Sequence, residues 1–139
     1  MTVLEHPENW PKRERQGEWH VRCVVEGRAI EDVFIVPPRA QRTPDTPREG
    51  NRYGASLCVY DTKRDEWPMT WINPGTLAHN RLVGRQQGGE ILQEGMDDGQ
   101  PYRWIFSDIT PDSFRWRAES SADGGKTWRL NVEFSARWL

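Results

Sequence analysis

The sequence has little cysteine, histidine or lysine and no long apolar run, and each shortage narrows the class of protein. Its two cysteines, Cys23 and Cys58, lack metal-site spacing and both lie in apolar runs, so we expect buried free thiols. No run approaches membrane-spanning length, and the N-terminal stretch has no apolar signal core. The formal net charge of -2 gives no reason to expect nucleic acid or an acidic membrane surface as a partner. We therefore expect a cytoplasmic protein with neither kind of partner.

Aromatic residues, by contrast, are abundant: eight Trp, four Phe and three Tyr among 139 residues. Only 35% of the chain is hydrophobic and the mean hydropathy is -0.88, but aromatic side chains bury large areas and can supply a core. Disordered chains are poor in such residues. The length suits one folded domain.

Short alternating runs separated by turn residues continue along the chain, which is typical of an all-β protein. The stretch Asp97-Asp98-Gly99 is a hairpin signal between two of these runs. The final run is the longest, and one face of it carries Trp128, Leu130, Val132, Phe134, Ala136 and Trp138.

These runs predict about nine strands joined by hairpin-length turns. A meander with one apolar face can close as an up-and-down barrel or fold over as a sandwich. Consecutive short turns favour the barrel, because Greek-key sandwiches need longer crossings. We predict an antiparallel up-and-down β-barrel over residues 17–139, preceded by a weakly structured N-terminal extension over residues 1–16.

One turn contains a motif known from sialidase propellers, the Asp-box, with the spacing Ser121-x-Asp123-x-Gly125-x-x-Trp128. A propeller needs several four-stranded blades, and a single motif in 139 residues cannot supply them. The same residues explain a turn, since glycines tolerate positive φ and Ser and Asp bind turn amides. We interpret the motif as structural.

Several stretches together resemble a lipocalin-like family of uncharacterised bacterial proteins. The resemblance rests on GRAIEDVF and DGGKTWRLNVEFSARW, supported by YDTKRDEWPMTWINP, and covers roughly residues 17–137. It implies a calycin-type β-barrel with a central cavity and no assigned biochemical role. Members usually begin with a further strand carrying a Gly-x-Trp pattern, which residues 1–16 lack. We therefore expect a barrel that is open at this edge or is completed by a second copy in a homodimer.

Small barrels hold either packed side chains or one small ligand. The faces predicted to point inward carry Trp19, Trp71, Trp104, Phe106, Phe114, Trp116, Trp128 and Phe134. Our leading hypothesis is non-catalytic binding of a small apolar or aromatic molecule, with no cofactor and no metal. The ligand-binding residues it names are Trp71, Trp104, Phe106 and Trp116, with His79 and Arg28 as polar contacts.

Two alternatives stay open. An enzyme on the same barrel would use His79, or the group formed by Glu26, Arg28 and Asp32, on a small hydrophobic substrate. A structural or oligomeric module would instead have a filled core and a large contact surface at the open edge. No catalytic triad order, P-loop or dinucleotide fingerprint favours a particular reaction.

Overall fold

A computed structural model describes residues 1–8, 11–45 and 51–138, and in these residues the chain is almost entirely β-structure. One short 3-10 turn covers Arg39–Gln41. The eleven strands of the described residues are β1 (Thr2–Glu5), β2 (Arg13–Gln16), β3 (Glu18–Val24), β4 (Ala29–Val36), β5 (Arg52–Val59), β6 (Trp67–Asn73), β7 (Ala78–Gln87), β8 (Glu90–Asp97), β9 (Gln100–Ser107), β10 (Ser113–Ser120) and β11 (Arg129–Arg137).

The strands form one antiparallel sheet in the order β2-β1-β11-β10-β9-β8-β7-β6-β5-β4-β3. From β3 to β11 each strand pairs with the next along the chain, which is the up-and-down arrangement. The two outermost strands, β2 and β3, are joined through Gly17, so the sheet curls into a nearly closed barrel. Met1 helps to hold this junction, because its amino group donates to the Gly17 carbonyl at 2.9 Å and its carbonyl accepts from the Gly17 amide at 2.8 Å.

The prediction of an antiparallel up-and-down barrel is confirmed, with eleven strands in the described residues rather than about nine. The two additional strands lie within residues 1–16, where we expected a weakly structured extension. β1 inserts between β2 and β11 and places Val3 opposite Phe134. Val3 is completely buried, so tertiary packing orders a segment whose own sequence is a weak strand signal.

Alternation along β10 and β11 builds the most tightly packed part of the interior. Phe114, Trp116 and Ala118 of β10 are buried, as are Phe134 and Ala136 of β11. They pack around Val3 and Val36, neither of which has measurable exposure. One end of the barrel is therefore filled by side chains.

The prediction that Trp128 points into the barrel is wrong, because β11 contains a β-bulge. Ala118 lies opposite Val132, whereas its neighbour Glu119 lies opposite Leu130, so Asn131 is the extra residue. Because one inserted residue reverses the alternation, the chain before the bulge presents Leu130 and Trp128 on the opposite face from Val132. Trp128 lies outside the barrel core, with the guanidinium of Arg103 4.0 Å from its ring centroid.

The Asp-box residues form a self-contained turn. Ser121 is buried and its hydroxyl accepts from the Gly125 amide at 2.8 Å. Asp123 accepts from the amides of Lys126 and Thr127 and from the Thr127 hydroxyl, at 2.7–3.0 Å. These hydrogen bonds to the carboxylate lower the pKa of Asp123 to about 2. Gly125 has φ of +92°, as the turn requires.

Candidate functional site

A cavity of about 170 Å³ lies inside the barrel beside its filled end. Side chains from eight strands, β3–β6 and β8–β11, contribute to its wall. The lining residues are Trp19, Asp32, Phe34, Arg52, Ser56, Trp71, Asn73, Gln93, Trp104, Phe106, Trp116, Ala118, Val132 and Phe134.

Seven of the fourteen lining residues are aromatic, and their rings are in mutual contact. Trp71 meets Trp104 edge to face, with ring centroids 5.3 Å apart and an interplanar angle of 81°. Trp104 contacts Trp116 at 5.6 Å, and Trp116 stacks on Phe134 at 4.5 Å. Such contacts hold each ring in place, so the wall keeps its shape without a ligand.

A single carboxylate interrupts the aromatic wall. Asp32 of β4 lies directly opposite Ser56 of β5, and the Ser56 hydroxyl donates to Asp32 Oδ2 at 2.5 Å. The indole Nε1 of Trp19 donates to Asp32 Oδ1 at 3.1 Å. Burial raises the pKa of Asp32, although the two hydrogen bonds oppose the rise by stabilising the ionised form. The cavity thus has a largely aromatic wall with one carboxylate in it, and Arg52, Asn73 and Gln93 add further polar groups.

Glycine at position 54 makes room for two of the lining rings. Gly54 is opposite Phe34 in the β4–β5 pair and is buried. A Cβ atom there would lie 2.2 Å from Phe34 Cε1 and 2.7 Å from Trp71 Nε1, which is far inside van der Waals contact. The absence of a side chain at this position therefore sets where both rings sit.

Four of the six predicted ligand-binding residues, Trp71, Trp104, Phe106 and Trp116, line the cavity. The other two do not. His79 is exposed, because it lies opposite the exposed Ile72 on the outer face, whereas Asn80 and Leu82 follow the inward alternation. Our expectation that His79 faces inward is therefore wrong.

Arg28 is exposed in the turn between β3 and β4 and also lies away from the cavity. Positive φ at Val25, Glu26 and Gly27 builds this turn. Glu26 is exposed in it as well, so of the group formed by Glu26, Arg28 and Asp32 only Asp32 reaches the cavity. The barrel separates the three residues that the catalytic alternative grouped together.

The two cysteines differ in how far they are exposed to solvent. Cys23 is exposed, which corrects our expectation of a buried thiol, and Cys58 is half-buried. Burial, together with the nearby charge of Asp32, raises the pKa of the Cys58 thiol to about 11. A thiol with such a pKa is a poor nucleophile at neutral pH.

Several lining residues were not predicted from the sequence, namely Phe34, Arg52, Ser56, Asn73 and Gln93. Most are polar residues on strands whose inward face could not be assigned from a clean apolar alternation. Arg52 forms an ion pair with Glu5, with 2.6 Å between Nε and Oε1, and Glu5 is shared with Arg15. In the described residues, neither a cluster that could hold a metal ion nor a helix long and apolar enough to cross a membrane is found.

A second, open cleft of about 1140 Å³ marks the seam of the barrel. It runs between β3 and the adjoining ends of β10 and β11. β3 pairs only with β4 among the described strands, so its other edge faces this cleft. Val21 and Trp138 at the cleft are 41% and 50% exposed, which leaves apolar surface at an unpaired strand edge.

Comparison with known proteins adds no relative: no family model matches the chain, and no curated protein matches it either.

Proposed function

We propose that this protein binds one small apolar or aromatic molecule inside its barrel and does not transform it. The observation that carries the proposal is the cavity of about 170 Å³ walled by Trp71, Trp104, Phe106 and Trp116. Concave sites with aromatic walls and a few polar groups are the usual form of small-molecule sites.

The volume limits the ligand to roughly the size of one aromatic ring. An apolar protein cavity of about 150 Å³ is known to stay dry and to bind benzene. Drug-sized ligands need larger sites, of about 300 Å³ or more. A single-ring molecule is therefore the size class that this cavity accommodates.

Titration with toluene, followed by calorimetry, tests the proposal. Ala118 lines the cavity, so Ala118→Leu places extra carbon atoms in the space that toluene would occupy. Ala55 lies on β5 beside Ser56 and faces away from the cavity. Ala55→Leu therefore makes the same chemical change outside the site.

We expect saturable toluene binding to the wild type and to Ala55→Leu, and at least about tenfold weaker binding to Ala118→Leu. Circular dichroism and thermal unfolding establish that each variant is folded. No saturable binding to the wild type, or equal binding to all three folded proteins, contradicts the proposal.

The same proposal includes the lipocalin-like, calycin-type assignment that the sequence resemblance implies. A nearly closed antiparallel meander with an interior cavity is compatible with it. The cytoplasmic location remains a prediction from the sequence.

We also propose that a second copy of the chain covers the unpaired edge of β3. Two β3 strands paired antiparallel about His20 would place Glu18 opposite the partner's Arg22 on both sides of the symmetry axis. Arg22→Glu, which also breaks the ion pair of Arg22 with Glu31 in the same chain, should then weaken the dimer in sedimentation equilibrium. A wild-type protein that is monomeric at all accessible concentrations contradicts this assembly.

A further inference from the structure

We propose that the ligand is a small organic cation, a compact aromatic or apolar body carrying an ammonium group that binds the Asp32 carboxylate. This inference rests on the proposed function and names the chemical class of the ligand.

Asp32 has no cationic partner among the residues that the structure describes. Its two hydrogen-bond donors, the Ser56 hydroxyl and the Trp19 indole, are both neutral. The one guanidinium at the cavity wall, that of Arg52, is paired with Glu5. A partly buried carboxylate without a counter-ion is costly, and a bound cation would reduce that cost.

The carboxylate also retains acceptor capacity toward the cavity. Two carboxylate oxygens offer about four lone-pair positions, and two of these are used by Ser56 and Trp19. An ammonium N–H can occupy one of those that remain as a charge-assisted hydrogen bond. The geometry therefore favours a primary or secondary ammonium, which has N–H groups to donate.

The surrounding rings favour a cation as well. Trp19, Trp71, Trp104 and Trp116 line the same cavity as Asp32. Indole rings attract cations through their electron-rich faces, and the attraction is larger away from water. One carboxylate and several indoles that line the same cavity form a site that favours positive charge.

The experiment compares benzylammonium with benzyl alcohol and toluene by calorimetry at neutral pH. All three have the same ring, and only the first carries a charge. We expect wild-type protein to bind benzylammonium at least about tenfold more tightly than benzyl alcohol, as a charge-assisted hydrogen bond inside the barrel should allow. Asp32→Asn should remove this preference, so that benzylammonium binds the variant no more tightly than benzyl alcohol does.

A matched variant controls for the loss of negative charge as such. Glu94 follows the lining residue Gln93 on β8, but its side chain is half exposed and faces outward. Glu94→Gln should leave the preference for benzylammonium unchanged. Asp32→Ser, which is also uncharged and is smaller, supplies the same measurement should Asp32→Asn fail to fold.

The outcomes separate the two proposals. If toluene binds in an Ala118-dependent manner but benzylammonium binds no better than benzyl alcohol, or if Asp32→Asn keeps the preference, the inference is wrong and the proposed function stands. If none of the three probes binds, the proposed function itself fails.

Discussion

Trp19 donates its indole N–H to Asp32 across the β3–β4 pair, with 3.1 Å between Nε1 and Oδ1. The same indole packs edge to face against Phe114, Trp116 and Phe134. One side chain therefore belongs to the filled end of the barrel and also contacts the carboxylate in the cavity wall. This contact couples the packing of the core to the chemistry of the site.

Replacement of Trp19 by Phe should separate these two roles. The variant keeps an aromatic ring in contact with the neighbouring rings. It removes the indole N–H, so Asp32 Oδ1 loses its hydrogen-bond donor. We expect the free energy of unfolding in urea to fall by about 1–3 kcal/mol, the usual cost of an unsatisfied buried polar group. Trp138→Phe, at an indole that is 50% exposed, should change it by less than about 0.5 kcal/mol. Equal effects from both substitutions would show that the hydrogen bond is energetically irrelevant.

Substitution of Gly54 by Ala tests the placement of the cavity wall. The new methyl group would overlap Phe34 and approach the Trp71 indole, so both rings must shift. We expect a loss of about 1–3 kcal/mol in the free energy of unfolding, typical of overpacking, and weaker toluene binding. Gly89 provides the control, because a Cβ there would meet nothing within 4 Å. A Gly54→Ala variant as stable as Gly89→Ala is the outcome that would disprove this placement.

Asp32→Asn should stabilise the unliganded protein at neutral pH. The raised pKa means that the folded protein holds the proton more tightly than the unfolded chain does, so stability falls as the pH rises through the pKa of Asp32. Asn cannot ionise and avoids this loss. The gain in the midpoint of thermal unfolding should therefore vanish at a pH below the ordinary Asp value of 3.8, where Asp32 is protonated in both states.

The charges near Asp32 do not reverse this expectation. Glu31 raises the pKa of Asp32 further, and Cys58 carries no charge at neutral pH because its own pKa is about 11. Arg52 is the cation at the cavity wall, and it is paired with Glu5. A gain that is constant from pH 3 to pH 7 would mean that ionisation of Asp32 has no energetic cost.

The effect of Asp123→Asn on the stability of the fold should depend on pH in the opposite way. The hydrogen bonds of the turn lower the pKa of Asp123 to about 2, so its ionised form stabilises the fold above the ordinary Asp value of 3.8. That contribution is lost as the pH falls from 3.8 toward 2. The wild type should therefore unfold at a higher temperature than the variant at pH 6, and the difference should narrow toward pH 2. If the difference does not vary with pH, the charge of the Asp123 carboxylate is not its cause.

Thiol labelling should distinguish the two cysteines. Cys23 is exposed, whereas Cys58 is half-buried with a pKa of about 11. At neutral pH a disulfide reagent should modify one thiol per native chain rapidly and the second only after denaturation. Cys23→Ser should abolish the rapid phase. A rapid phase that survives this substitution would reveal an accessible, reactive Cys58.

Alternating hydrophobicity was sufficient to predict the barrel and four of the cavity residues, because apolar residues recur at every second position in β6, β9 and β10. Turn chemistry was equally informative. Asp98 and Gly99 have φ of +50° and +77° and form the two-residue hairpin loop that Asp97-Asp98-Gly99 predicted.

The errors arose where the alternation changes phase or where distant strands decide the structure. The bulge at Asn131 moved Trp128 to the other face, and no residue type marks it in advance. In β7 the apolar residues are too sparse to show which face is inward, so His79 was misassigned. β1 is ordered by its pairing with β11 at the far end of the chain, which local sequence does not encode.

If a ligand enters the aromatic cavity, the indole N–H resonances of the tryptophans, of which the chain has eight, report it directly. In a toluene titration followed by two-dimensional NMR, we expect saturable shifts for Trp19, Trp71, Trp104 and Trp116, which line the cavity. The indole N–H resonances of Trp128 and Trp138, which do not line the cavity, should not shift. No saturable shift at the four lining indoles, or shifts confined to Trp138 at the open seam, would contradict the account.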